Sequence, residues 1–253
     1  MKLEIDAVSK DFAGLHALRE VTTHVDEGEI LAVIGPNGSG KTTLINIVSG
    51  VIRPSSGEVQ MNGKVLTNLP SHAVARAGIG RTFQNIRLFR DMTVIENVET
   101  AASQSPRVKG LVRPRRRSRE ALALLGLERH DDTIVRNLPY GIQRRVEIAR
   151  AVATEPRFLL LDEPAAGLNE VESDELLEVI RTVRKRLECG VMIVDHDLRL
   201  IMRVSERIHA LNEGRTLAEG TPDQVRRNRA VIEAYLGTES AHEALEAHDS
   251  AEA

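Results

Sequence analysis

The sequence predicts an α/β fold: a mostly parallel sheet carrying a phosphate-binding loop, an antiparallel β region near the N-terminus, and a helical insertion. Three observations predict it. The apolar run 29–34 (EILAVI) leads into the glycine-rich string 35–43 (GPNGSGKTT), and a helical run 41–49 follows, closed by Gly50. A second apolar run, 157–162 (RFLLLD), has the near-continuous hydrophobicity of a central parallel strand. Between the two, residues 85–149 show helical spacing and little strand alternation.

The glycine-rich string has the chemistry of a phosphate cradle. Gly35, Gly38 and Gly40 tolerate the turns and let the main chain come close to a ligand, so that backbone N–H groups point inward around an anion. The helix opening near Lys41 adds its positive dipole end. Asn37, Ser39 and Thr43 complete the loop, Lys41 reaches the β- and γ-phosphates, and the Thr42 hydroxyl suits Mg²⁺. Such a string arises by chance in about one chain of this length in a hundred. The strand before it and the helix after it favour nucleotide binding.

The chain of 253 residues, 42 % of them hydrophobic, is long enough for one large α/β domain with a substantial core. Its net charge of −3 gives no global bias toward nucleic acid or anionic membrane, and no nucleic-acid partner is expected. Cys189 is the only cysteine, which excludes an internal disulfide and fits a reducing compartment. Residues 1–8 alternate as a strand and do not read as a secretory leader. No apolar run approaches the ~20 residues of a spanning helix. The chain is expected to be soluble by itself, with any membrane connection made through a partner.

In order, residues 2–8 (KLEIDAV) read as a strand with Leu3, Ile5 and Ala7 on one face, and 21–25 as a second strand. After Gly50 come a turn at 54–57, a strand at 58–61 and the hairpin dipeptide Asn62-Gly63. A short helix at 70–77 and a strand at 79–83 lead to Gln84. In the helical insertion, 93–102 and 118–125 have helical spacing, and 103–117 is polar and basic. Arg107, Lys109, Arg113, Arg115, Arg116, Arg117 and Arg119 meet no acid until Glu120; without interleaved aromatics this reads as a solvated loop rather than a nucleic-acid or lipid patch. Helix 172–187, strand 191–194, helix 198–204, strand 208–212 and a turn at Glu213-Gly214 follow. The tail 238–253 carries acids and no Lys or Arg, and is expected to be disordered or a frayed helix.

The run 158–163 (FLLLDE) places two carboxylates at the end of a buried strand, where ligands sit in open α/β sheets. Asp162 can hold Mg²⁺ directly or through water, and Glu163 can polarise a water for in-line attack on a γ-phosphate. A strand that simply ends in charge is common, but here the phosphate loop lies upstream. Gln84 and His196, each near a strand end, are ordinary when taken singly. The order of the set is what carries information.

That set resembles the ATP-binding cassette (ABC) ATPase family over residues 1–237, with a helical subdomain at about 85–149. The resemblance implies that Lys41 and the 38–43 backbone hold the phosphates of ATP, and that Gln84 touches Mg²⁺ or the attacking water and senses the transporter. It implies Glu163 as catalytic base, His196 as the switch on the γ-phosphate, Asp162 and Thr42 at Mg²⁺, and Phe12 stacked on adenine. On its residues alone Phe12 reads nearly as well as a core phenylalanine. Residues 165–169 (AAGLN) resemble the loop that crosses the dimer interface. The stretches 78–98, 162–169 and 233–237 are similar to ATP-binding subunits of branched-chain amino acid importers, with urea/amide importers and lipid-export cassettes sharing much of the pattern. The implied partners are two membrane permease subunits, a separate solute-binding protein, and a second cassette. The implied location is the cytoplasmic face of the inner membrane. Leu88 and Phe89, apolar in a loop-like stretch after Gln84, suit a groove for the permease.

One segment departs from the family pattern. The signature, usually Leu-Ser-Gly-Gly-Gln, reads Leu138-Pro139-Tyr140-Gly141-Ile142, and is expected to open a helix at 143–153 that caps the γ-phosphate bound by the opposite subunit. Pro139 has neither a hydroxyl nor an N–H, so the usual donor is gone. Leu138, Tyr140 and Gly141 remain as the contact to ATP. The loss on one side predicts a heterodimer with unequal sites, a homodimer being the alternative.

Overall fold

The computed structural model describes residues 1–104 and 114–236. It opens on a hairpin: β1 (Lys2–Phe12) and β2 (Leu15–Asp26) are joined by Ala13-Gly14, with φ of 44° and 94°, as a primed two-residue turn requires. β1 also pairs antiparallel with β4 (Ser56–Met61), which turns through Asn62-Gly63 into β5 (Lys64–Val65). The resulting sheet has the order β2-β1-β4-β5. Its first strand corrects the simple alternation. Leu3 and Ile5 are buried, but Ala7 is exposed at φ 45° and Val8 takes the inward place. The register slips between Ile5 and Val8, and the Ala7 N–H released by that bulge donates to Thr22 Oγ1 at 2.9 Å.

The second sheet carries the site. It combines β3 (Ile30–Ile34), β6 (Ile79–Arg81), β7 (Phe158–Asp162), β8 (Gly190–Val194), β9 (Arg207–Asn212) and β10 (Arg215–Gly220) in the order β10-β9-β3-β8-β7-β6. All neighbours are parallel except β10, an antiparallel edge reached through the Glu213-Gly214 turn. Every residue of β3, β7 and β8 is buried, because both faces are covered. Leu31 and Val33 face α1 (Lys41–Val48) and the antiparallel sheet, in one core with Phe158 and Leu160. Ile30, Ala32 and Ile34 face the other core, built with helices α3 (Val94–Ala102), α4 (Pro114–Leu124), α5 (Tyr140–Val152), α6 (Glu170–Leu187) and α7 (Leu198–Val204). Helices α2 (Ser71–Ala77), α8 (Pro222–Arg226) and α9 (Arg229–Leu236) complete the described chain.

Between Arg81 and Phe158 the described residues form helices, short 3-10 turns and one isolated bridge, Thr93 to Ile134. Helix α3 starts on a reciprocal cap, Thr93 with Glu96. Helix α4 starts at Pro114, earlier than the predicted 118, so the end of the basic segment is helix and not loop. Arg117 there is buried and meets Glu155 at 3.1 Å. Residues 105–113 of that segment, and the acidic tail, lie outside the described residues. β6 stops at Arg81, two residues short of the predicted strand, so Gln84 sits on the exit loop and not at the strand end itself. No helix among the described residues is long and apolar enough to cross a membrane.

An ion network locks the β9–β10 edge. Glu219 on β10 accepts from Arg207, and its other oxygen lies 2.6 Å from Nδ1 of fully buried His209. Burial opposes the charge on Glu219, but His209 and Arg207 outweigh it and bring the carboxyl down to about 2. A carboxyl depressed by folding stabilises above its unfolded pKa, and that contribution fades as pH falls from about 4.5 toward 2. Glu219→Gln should therefore cost about 1–2 kcal/mol at pH 7, less than the full shift implies because Glu219 is partly exposed and solvent screens the pair. The melting-temperature gap to the unaltered protein should narrow as pH falls below about 4.5 and close only near pH 2. A gap that does not change with pH would show that the charge is not the cause.

Candidate functional site

The loop between β3 and α1 is shaped by close packing as much as by turns. A Cβ on Gly35 would lie 2.2 Å from the Leu211 carbonyl, and one on Gly40 would lie 2.6 Å from the Ala17 carbonyl. Both glycines let the loop seat against β9 and β2. Gly40, at φ 105°, is also the N-cap of α1. Lys41 folds back over the loop, and its Nζ donates to the Gly35 carbonyl at 2.6 Å and the Pro36 carbonyl at 3.0 Å. Burial pushes its ammonium pKa down, while Glu163, Asp195 and Asp162 pull it up. Ser39 Oγ is buried without a hydrogen-bond partner. An orphaned hydroxyl and a cation held only by carbonyls are what a loop built for an anion offers.

This loop floors a cleft of about 700 Å³. Asn37, Gly38, Ser39, Gly40, Lys41, Thr42 and Thr43 line it from the loop and α1; Gln84 and Glu163 line it from two strand exits, and Phe12 from the end of β1. Phe12 is 44 % exposed, so it is not a core phenylalanine. Gly35 does not line the cleft; it shapes the loop and anchors Lys41. The sequence reading missed Leu15, His16, Ala17, Arg19 and Glu213, which close the Phe12 side. Ala-Gly is not among the strong turn dipeptides, so the hairpin that brings Leu15 opposite Phe12 gave little signal.

Glu163 sits at φ 45°, a left-handed conformation costing a non-glycine residue about 1–3 kcal/mol. Its N–H is held by the Val194 carbonyl at 2.7 Å, and Gln84 Nε2 donates to its Oε2 at 3.1 Å. His196 Nδ1 is 3.6 Å from the same oxygen, and the ring is 60 % exposed. Asp162 lies beneath, 2 % exposed and outside the cleft lining, with Arg81 Nη2 on its Oδ2 at 3.1 Å. Burial pushes its carboxyl pKa up and Arg81 pulls it down. Arg81 also donates to Ser49 Oγ at 2.6 Å, tying β6 to the end of α1. Asp195 accepts the His196 and Asp197 N–H groups on one oxygen, while its other oxygen is buried without a partner.

Leu138, Tyr140 and Gly141 do not reach this cleft. The helix they open begins at Tyr140, three residues before the predicted start, with Pro139 as N-cap at φ −56° and ψ 152°. Proline fits there because it needs no N–H donor and its φ is preset. No side chain caps the first turn. Tyr140 is half exposed and packs on the loop of residues 165–169, where a Cβ on Gly167 would come within 3.0 Å of the ring. Ile142 is half-buried against the core, and Gln143 Nε2 donates back to the Leu138 carbonyl at 2.8 Å.

One residue of that helix joins the two halves of the site. Arg144 has no exposed surface, yet its guanidinium donates to the carbonyls of Phe83 and Gln84, both at 2.8 Å, and of Glu163 at 3.3 Å. Glu147, one turn on, balances its charge at 2.9 Å. The sequence reading passed over it; an Arg-x-x-Glu pair flanked by Val146, Ile148 and Ala149 was the available signal.

The profile of the ABC transporter family matches residues 18–166, and that of the branched-chain amino acid ATP-binding cassette transporter family matches residues 215–241. A high-affinity branched-chain amino acid transport ATP-binding protein, LivG of Salmonella typhimurium, is 42 % identical over 248 residues, covering 93 % of this chain and 97 % of that protein. A nucleotide-free ATP-binding cassette from an ABC transporter superposes with a TM-score of 0.84 at 27 % identity, over 94 % of this chain and all of that one. A dimeric cassette in a post-hydrolysis state, bound to ADP and Pi, superposes with a TM-score of 0.78 at 28 % identity, over 87 % and 98 % of the two chains.

Proposed function

The chain belongs to the ABC transporter family of ATPases, and on that premise we propose that it hydrolyses ATP to drive import of branched-chain amino acids through separate membrane permease subunits. The observation that carries the reading is the convergence of Lys41, Thr42, Gln84 and Glu163 on one cleft with Phe12 at its open end. Phe12 stacks the adenine. The loop backbone and Lys41 take the phosphates in place of the Gly35 and Pro36 carbonyls. Glu163 accepts the proton of the attacking water, Gln84 orients that water, and His196 swings onto the γ-phosphate. Catalysis is chiefly positioning and charge neutralisation.

Thr42, Gln84 and Asp162 offer hard oxygen donors of the kind Mg²⁺ takes. The first two open into the cleft, while Asp162, with one oxygen engaged by Arg81, serves best through water. Bound there, Mg²⁺ would neutralise charge on the β- and γ-phosphates. The signature helix turns away from its own cleft and serves the nucleotide of a second cassette. Phe89, 51 % exposed beside half-buried Leu88, forms the surface for the permease on the inner face of the membrane.

The test is to purify the chain with its co-purifying permease and partner cassette, reconstitute them in liposomes, and add a branched-chain amino acid with its binding protein. ATPase activity should rise several-fold with leucine, isoleucine or valine. Stimulation by urea, an amide or a lipid, and not by these, would reassign the solute. No coupling to any solute would remove the transport role.

A further inference from the structure

We propose that Arg144 is a positioning residue that couples the signature helix to this chain's own catalytic loops, so that the two nucleotide sites of a dimer respond together. The inference rests on the site reading above. Helix α5 presents Tyr140 and Gly141 at its N-terminus, the end that serves the partner's nucleotide. About one turn along, on the same helix face, the Arg144 guanidinium donates to the Tyr140 hydroxyl at 3.5 Å and extends past it into this chain's own site.

Its three carbonyl acceptors come from two separate strand exits: Phe83 and Gln84 follow β6, and Glu163 follows β7. Gln84 and Glu163 are also the two side chains that meet at 3.1 Å in the cleft. Arg144 thus holds the backbones beneath both reacting side chains, and holds them with one rigid planar group. Lysine, a single ammonium on a flexible stem, cannot span the same three acceptors in that geometry.

The counter-charge is arranged for the same purpose. Glu147 Oε2 accepts from Arg144, while its Oε1 accepts the Arg87 N–H at 3.3 Å. The loop from Phe83 to Arg87 is therefore gripped at both ends by α5. A fully buried guanidinium has five N–H donors to satisfy, and beyond Glu147 and Tyr140 the acceptors it finds are carbonyls of the two catalytic loops and not of its own helix. When ATP draws Gln84 inward, its backbone shifts, and Arg144 conveys that shift to α5 and hence to the opposite site.

The experiment uses the full-length chain in its assembled transporter. Arg144→Lys should lower kcat about tenfold to a hundredfold, as misplacement of a catalytic loop does, with the KM for ATP within about threefold. The Hill coefficient for ATP should fall from above one toward one. Arg144→Met/Glu147→Met, which removes both buried charges but leaves the three carbonyls and the Arg87 N–H without these partners, should still fold, with a lowered melting temperature, while rate and cooperativity stay low. Recovery of rate in that double variant, normal rate and cooperativity in Arg144→Lys, or non-cooperative hydrolysis by the unaltered transporter would each overturn the proposal. Glu163→Gln is measured alongside: turnover retained in that variant refutes the site reading itself rather than the coupling.

Discussion

Glu163→Gln lowers ATP turnover at least a hundredfold while ATP binding survives; that is the largest single-residue effect expected in this chain. A positioned general base contributes about 10²–10⁴ in rate. Glu163 is placed for that work by its backbone. It is held at φ 45° with its N–H tied to the Val194 carbonyl, which aims the carboxylate into the cleft beside Gln84 and not into the sheet. Glutamine keeps the shape and can still accept from Gln84 Nε2, so the cleft should stay intact. It cannot accept a proton from water. The nucleotide should then remain trapped and the dimer should persist, visible as a slower-diffusing species in the presence of ATP. Lys41→Ala supplies the contrast, because binding itself should weaken. Near-normal turnover of the Glu163→Gln protein, with its partner present, would remove the residue from its role.

Glu163 and the phosphate loop were legible because their chemistry is local. A strand, a run of glycines and a helix start follow one another in sequence, and the fold keeps them adjacent. The Asp162-Glu163 pair was legible for the same reason, since a strand end fixes where both side chains go. The identity of their holders was not. Arg81 reaches Asp162 across two neighbouring strands, and Arg144 reaches Phe83, Gln84 and Glu163 across 61, 60 and 19 residues of chain. No periodicity in helix α5 marks an arginine as serving backbone carbonyls elsewhere. Ala7 failed for another reason: one extra residue in a bulge reverses every later side chain, and nothing in KLEIDAV marks the slip. Leu15 and Arg19 lie in the cleft only because a hairpin with an unremarkable turn folds them beside Phe12.

The signature helix shows how such a small displacement changes a functional expectation. A start at residue 143 would leave Tyr140 and Gly141 in a loop; the observed start at Tyr140 puts both in the first turn, where backbone N–H groups are free to meet an anion. The helix end therefore still offers backbone donors, and what is missing is the side chain of the N-cap. A serine at 139 would supply two things at once. Its oxygen would accept a first-turn N–H, stabilising the helix by about 0.5–2 kcal/mol, and its hydroxyl proton would be left to donate to the γ-phosphate. A hydrogen bond to a charged group is worth about 1.5–3 kcal/mol, or roughly ten- to a hundredfold in rate or affinity. Pro139→Ser should therefore raise turnover at the partner's site about tenfold or more. Ile142→Gln should add less, since Ile142 is half-buried against the core and part of its gain is lost in packing. With a partner cassette that carries the usual signature, the site on this chain's phosphate loop, which takes its signature from that partner, should be the faster one. Introducing the Glu→Gln change into each subunit in turn measures this directly: the loss should be larger when Glu163 is the residue changed. Equal losses from the two changes, together with no gain from Pro139→Ser, would mean that the missing donor has no cost and that the two sites are equivalent.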